Sequence, residues 1–110
     1  MNSQKITLED FQELIDESGG QCYYCQRECF ILDLRRSKNQ ITLERLDNEK
    51  PHSRENCVIA CLGCNGDRSN KFKAKDYKEA QESRRNGDYK KMNSLIKNYY
   101  KIKIQNININ

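Results

Sequence analysis

Two Cys-x-x-Cys pairs, Cys22-Tyr-Tyr-Cys25 and Cys61-Leu-Gly-Cys64, stand 35 residues apart in a chain of 110 residues. Each pair makes a tight turn that presents two sulfurs to one point. Four thiolates around one point are the tetrahedral donor set that zinc takes, with Zn–S bonds of about 2.3 Å. Zinc lowers the thiol pKa, and soft sulfur suits the ion. Four thiolates leave no open coordination position, so Zn²⁺ held by Cys22, Cys25, Cys61 and Cys64 is expected to be structural, not catalytic. Of the two remaining cysteines, Cys57 lies on an apolar run and reads as a small buried hydrophobe. Cys29 is the alternative ligand, in place of Cys25.

Polar groups of another kind lie between and beside the pairs: Glu44, Arg45, His52, Asn56 and Asn65. Singly, each has an ordinary reading. Glu44 and Arg45 make a solvated ion pair, and His52 is a surface residue in a polar loop beside Pro51. Asn56 is a turn residue at a strand entry, and Asn65 is a helix N-cap, a position asparagine favours.

The elements that must position these groups follow from composition and periodicity. With 35% hydrophobic residues, no tryptophan and a mean hydropathy of −1.04, the chain buries little apolar surface and needs a staple. No secretory h-region opens the sequence and no run approaches about 18 apolar residues, so an intracellular address, cytoplasm or nucleus, without membrane contact is expected. Thiols stay reduced there, which favours metal over disulfide. Structural zinc contributes about 10–16 kcal/mol in small peptides, against a total stability of about 5–15 kcal/mol for ordinary domains. The metal then decides whether the chain folds.

An N-terminal helix is predicted after an N-cap at Thr7, with Glu9 and Asp10 in its first turn. Leu8, Phe11, Leu14 and Ile15 share its inner face, and Gly19-Gly20 ends it. Short strands are predicted over 30–34, 41–46 and 57–60, with a polar loop over 47–55 and a helix beyond Asn65. One or two helices over 75–100 turn Tyr77, Ala80, Met92, Leu95, Ile96 and Tyr99 inward and break at Asn86-Gly87. The tail from Lys101 is expected to fray. Residues 1–65 carry 8 Lys/Arg against 11 Asp/Glu, whereas residues 66–110 carry 12 against 5. A basic C-terminal half of this kind suits a phosphate backbone, or a solvated lysine-rich helix surface.

The segment Thr42-Leu-Glu-Arg-Leu-Asp-Asn48, Pro51-His-Ser-Arg-Glu-Asn56 and Cys57-Val-Ile-Ala-Cys-Leu-Gly-Cys-Asn65, followed by Arg68-Ser-Asn-Lys71, resembles the HNH or His-Me finger endonucleases. It is most similar to the phage recombination endonuclease group, over roughly residues 20–73. The resemblance implies an α+β fold: a small zinc-stapled ββα-metal core over 1–74 with an N-terminal helix, then basic C-terminal helices and a frayed tail over 75–110. It implies metal-dependent hydrolysis of DNA phosphodiester bonds. Glu44 and Asn65 would hold a catalytic Mg²⁺ or Mn²⁺ ion, and Asn56 would orient the base. Arg45 stands where the family carries its histidine. A guanidinium cannot take a proton from water, so Arg45 would clamp phosphate and His52, a metal-bound water or a tyrosine would be the base. Arg68, Lys71, Lys73 and Lys75 would grip the DNA backbone. Nicks on opposite strands would need two active sites, which a homodimer supplies. The competing expectation, favoured by Arg45, is a non-catalytic zinc module that binds nucleic acid; a zinc-ribbon adaptor is a third.

Overall fold

The computed structural model of the chain describes residues 5–31 and 37–109. In chain order the elements are α1 (Leu8–Ser18), β1 (Ile41–Arg45), a 3-10 turn (Arg54–Asn56), β2 (Cys57–Cys61), α2 (Leu62–Arg68), α3 (Ala74–Arg85) and α4 (Lys90–Ile109). The fold is a small α+β arrangement of four helices and one two-stranded antiparallel sheet, with a four-cysteine cluster. Among the described residues, no helix is long and apolar enough to cross a membrane.

Thr7 opens α1 with a capping box. Its hydroxyl accepts the Asp10 N–H at 3.1 Å, and the Asp10 carboxylate accepts the Thr7 N–H at 3.0 Å. Gly19, at φ 65°, closes the helix in the left-handed region. Leu14 is buried, and Phe11 and Ile15 pack against the core. Leu8, expected on the same face, is 81% exposed and takes no part.

The two strands form a ribbon in which Ile41 faces Cys61, Glu44 faces Val58 and Arg45 faces Cys57. The strand predicted over 30–34 reduces to a bridge between Phe30 and Gln40, and its residues from 32 onward lie outside the described residues. Helix α2 starts at Leu62, earlier than the sequence suggests, because Cys61 is its N-cap. The Cys61 sulfur accepts the Cys64 N–H at 3.4 Å. Asn65 therefore lies inside the helix rather than capping it. Two glycines in seven residues hide this helix from propensity.

Helices α3 and α4 separate around Asn86-Gly87, as predicted. Beyond residue 100 the chain does not fray: α4 continues to Ile109. Alternating isoleucine and lysine resemble a strand or loose tail, but Met92, Leu95 and Tyr99 recur at helical spacing and keep one face turned inward. Ile96, expected on that face, is 41% exposed. One core joins Leu14, Cys22, Tyr24, Ile41, Ile59 and Ala60 to Tyr77, Ala80 and Met92.

Gln26 follows the first cysteine pair at φ 66°, a conformation an L side chain enters at a cost of about 1–2 kcal/mol. Replacement by glycine removes that cost but adds freedom to the unfolded chain worth about 0.4–1 kcal/mol. Gln26→Gly is expected to stabilise the metal-loaded chain by about 0.5–1 kcal/mol, read as a higher urea midpoint with an unchanged slope.

Candidate functional site

The first cysteine pair sits in a small hairpin. Cys22 N–H donates to Arg27 O at 2.8 Å, and Cys29 N–H donates to Gly20 O at 2.7 Å. Tyr23 N–H donates to Ile59 O at 2.8 Å and ties the hairpin to β2. The second pair spans the junction of β2 and α2. These two placements bring the ligand atoms of Cys22, Cys25, Cys61 and Cys64 within 4.8 Å of one another. The Cys25 and Cys61 sulfurs are 3.9 Å apart. A tetrahedral ion with bonds of about 2.3 Å needs sulfurs about 3.8 Å apart, so the cluster fits a metal such as zinc.

Backbone N–H groups already point at the sulfurs. Tyr24 and Cys25 donate to Cys22 Sγ at 3.4 and 3.5 Å, as Cys64 does to Cys61 Sγ. Hydrogen bonds from Cys61 and Cys64 hold the Cys22 thiol far below its ordinary range. The same bond to Cys22 pushes Cys61 up to about 11, and Cys22, Cys61 and burial push Cys64 well above the thiol range. Four clustered thiols, three of them buried, cannot all ionise without a compensating cation. Burial, with the neighbouring sulfurs, pushes Cys29 up to about 12. Cys29 stands outside the four-sulfur group, so the alternative in which it replaces Cys25 falls away. Cys57 is a buried thiol, as expected, raised by burial.

Helix α3 closes the cluster from a direction the sequence did not disclose. Gln81 Nε2 donates to Cys64 Sγ at 3.3 Å and to the Tyr77 hydroxyl at 3.1 Å. Burial, then the Cys64 sulfur, raises the Tyr77 pKa. Orienting groups of this kind tune a metal's ligands. Their only sequence trace is a Tyr77/Gln81 spacing of four residues on one helical face.

Glu44 is buried and pairs with Arg68, not with Arg45. Its Oε2 accepts from Arg68 Nη1 at 3.0 Å and from the Tyr24 hydroxyl at 3.1 Å. Arg68 is only 2% exposed. It also donates to the carbonyls of Arg45 at 2.6 Å, Leu46 at 3.1 Å and Phe72 at 2.9 Å. Arg68, expected on the phosphate-gripping surface, thus faces inward. The exposed cations of that set are Lys71, Lys73 and Lys75. Burial and the Glu44 carboxylate raise the Tyr24 pKa, so that hydroxyl stays a donor.

Asn65 Nδ2 donates to Thr42 Oγ1 at 3.0 Å. Thr42 and Glu44 point to one side of β1, and α2 lays Asn65 against the first and Arg68 against the second. Asn56 holds the loop before β2. Its Nδ2 donates to the carbonyls of Asp47, Lys50 and Pro51, and its Oδ1 accepts the Asp47 N–H at 3.0 Å. Arg45 Nη1 reaches Lys50 O at 3.3 Å. His52 is exposed on that loop, and its carbonyl accepts the Ile6 N–H at 3.1 Å.

A cleft of about 1100 Å³ opens beside this face, over Arg68. Lys71, Lys73, Lys75 and Lys78 line it, with Asp47, Glu49, Glu79 and Glu82. With the Arg68 charge matched by Glu44, the four lysines face four carboxylates, which keeps the cleft from being a uniformly basic track. Its basic rim is the stretch from 71 to 78.

No protein-family model matches the chain, and comparison with curated proteins and with solved structures likewise finds no match.

Metal uptake is expected to release at least two protons per ion near neutral pH, those of Cys61 and Cys64, and to weaken as pH falls. A pH indicator in weak buffer measures the release. Chelation should then abolish the cooperative thermal transition. For the buried pair, Arg68→Met strands the Glu44 charge and should cost about 3–5 kcal/mol; adding Glu44→Leu should recover the part due to that charge and leave the part due to the three carbonyls. An unaltered urea midpoint for Arg68→Met would show that the guanidinium holds nothing together.

Proposed function

We propose that the chain is a metal-dependent endonuclease that hydrolyses DNA phosphodiester bonds on a zinc-stapled ββα-metal, HNH-type core. The observation that carries this reading is the junction at Cys61. An antiparallel ribbon runs directly into α2, and Glu44 on β1 and Asn65 on α2 lie on the same side of that ribbon. In this reading the four thiolates hold zinc, which fixes the junction and takes no part in the reaction.

The donor chemistry fits a hard divalent ion. Both bonds to Glu44 fall on Oε2, and Asn65 bonds through Nδ2, so Glu44 Oε1 and Asn65 Oδ1 accept no hydrogen bond from the described residues. A ligating carboxylate is commonly steadied through hydrogen bonds from its neighbours, here Arg68 and Tyr24. Few protein oxygens and several retained waters suit Mg²⁺ or Mn²⁺. Bound there, the ion would neutralise the scissile phosphate and the departing 3′ oxygen.

The chain's own groups then divide the remaining work. The Arg45 guanidinium cannot act as base; on the strand face opposite Glu44 it clamps a neighbouring phosphate rather than the scissile one. His52 accepts the proton of the attacking water, and Asn56 positions it through the loop carbonyls, that of Pro51 included. Lys71, Lys73 and Lys75 hold the flanking backbone. A placed general base contributes about 10²–10⁴-fold.

Two observations favour a second reading. Arg68 neutralises the Glu44 carboxylate and weakens its hold on any cation, and Arg45 occupies the family's histidine position. Both suit a zinc module that binds nucleic acid without cutting it.

Supercoiled plasmid with Mg²⁺ or Mn²⁺ decides between them. The endonuclease reading expects nicked circles, lost in Asn65→Ala and slowed about 10²–10⁴-fold in His52→Ala, with the cysteine-bound metal retained in both. A gel shift without nicks after hours of incubation would leave the binding module standing.

A further inference from the structure

Beside the cleft, α4 and the stretch from Lys71 to Asp76 enclose a second groove of about 490 Å³. Its charge is not balanced: Lys71, Lys73 and Lys103 line it against the single carboxylate of Asp76. From Tyr89 to Asn110 the sequence has no acidic residue at all. The Tyr99 ring gathers two of these cations, with Lys71 Nζ 5.8 Å and Lys103 Nζ 5.7 Å from its centroid. Cation–π attraction extends to about 6 Å, so one ring holds together two charges that repel each other. That ring is rooted in the core. Phe72 meets it edge-on at 5.9 Å and stacks on buried Tyr77 at 6.0 Å.

An anion relieves the crowding of the lysines, and nothing on α4 supplies one. A simple ion would not use the rest of the groove, which adds aromatic and aliphatic wall from Tyr99 and Ile102 and the side-chain amides of Asn98 and Asn106. Cations for a phosphate, an apolar wall for a base face and amides for a base edge are the parts of a single-strand binding groove. A paired base keeps its faces inside the duplex stack and cannot reach such a wall. The two grooves share Lys71, Phe72 and Lys73, so a strand leaving the cleft passes directly into the second groove.

We infer that the groove between α4 and the 71–76 stretch binds an unpaired nucleic-acid strand. This rests on the nucleic-acid reading above and narrows its ligand to nucleic acid that offers an unpaired strand.

Anisotropy of a labelled oligothymidylate with the full metal-loaded chain tests it, across about 50–200 mM salt. Three phosphate contacts predict a slope of log K against log salt of about −2, at about 0.7 per contact for a single strand. Lys103 is exposed, so Lys103→Gln should fold normally, shrink the slope by about 0.7 and weaken binding about fivefold at about 0.1 M salt. Asn106→Ala should weaken strand binding without changing the slope. Wild-type affinity and slope in Lys103→Gln would overturn the assignment. So would a Lys103 effect confined to phosphatidylserine vesicles. Nicking is read separately: strand binding that depends on Lys103 without any nicking keeps the groove and ends the nuclease reading, while nicking without such binding does the reverse.

Discussion

Helix α2 cannot stand alone, and the rest of the molecule depends on what pins it. Seven residues with two glycines lie far below the length at which an isolated helix persists in water. Its N-terminal end is held by Cys61 and Cys64, whose sulfurs meet those of Cys22 and Cys25. A metal at that point converts a contact between residues about 40 apart in sequence into a bond-like constraint, with a free energy comparable to a whole domain's stability. The cluster also lies inside the core that these elements share. The first hairpin reaches β2 through Tyr23, α2 follows β2 directly, and α3 leans on the cluster through Gln81.

The C-terminal end of α2 is held differently. Arg68 makes four hydrogen bonds inside the protein, one to a carboxylate and three to carbonyls at the ends of their own elements. Burying that charge is costly in itself, and a lone guanidinium–carboxylate pair seldom repays it. Here the guanidinium also reaches the carbonyls of Arg45, Leu46 and Phe72 at a strand end and a loop, so one side chain satisfies three part-buried backbone acceptors as well as the carboxylate. The turn that follows confirms how tightly the end is drawn. Lys71 N–H donates to Arg68 O at 2.9 Å around Ser69, whose φ of 44° and ψ of −132° suit the first corner of a type II′ turn. Asn48 steadies this turn through Ser69 O at 3.1 Å.

What the sequence disclosed and what it hid divide by the range of the signal. The four clustered cysteines, the N-cap at Thr7 and the break at Asn86-Gly87 are local patterns, and each was legible. Ribbon strands 41–45 and 57–61 were legible from alternation, within a residue at their ends. Arg68 was not, because a charged residue in a polar run reads as surface unless its partner, 24 positions earlier, is known to face it. Glu44 failed for the same reason: Arg45 is its neighbour in sequence, but adjacent residues on a strand point to opposite faces. Tyr77 was legible as an inner position of its helix, but Gln81, a polar residue one turn on, carried no signal of its own. The tail misled because isoleucine spaced by lysine and asparagine fits a strand period as readily as a helix period over so few residues.

The geometry of α2 also links the two ends of the candidate site. Cys64 and Arg68 are four residues apart and share a face; Asn65 and Arg68 are three apart and share another edge of the same face. Three residues advance about 4.5 Å along a helix, and two advance about 6.7 Å along a strand. Arginine's length covers that mismatch, so Asn65 meets Thr42 while Arg68 reaches Glu44. A clustered cysteine, a polar amide and an ion-pair partner therefore ride on one turn and a half of helix. Without a metal at the thiol cluster, the register that keeps Arg68 on Glu44 would depend on the bonds of Arg68 and the Asn65–Thr42 contact. Those bonds form only once the helix is in place, so they do not supply its nucleus. Hence the ribbon face is expected to come apart with the thiol cluster, rather than persist as a separate unit.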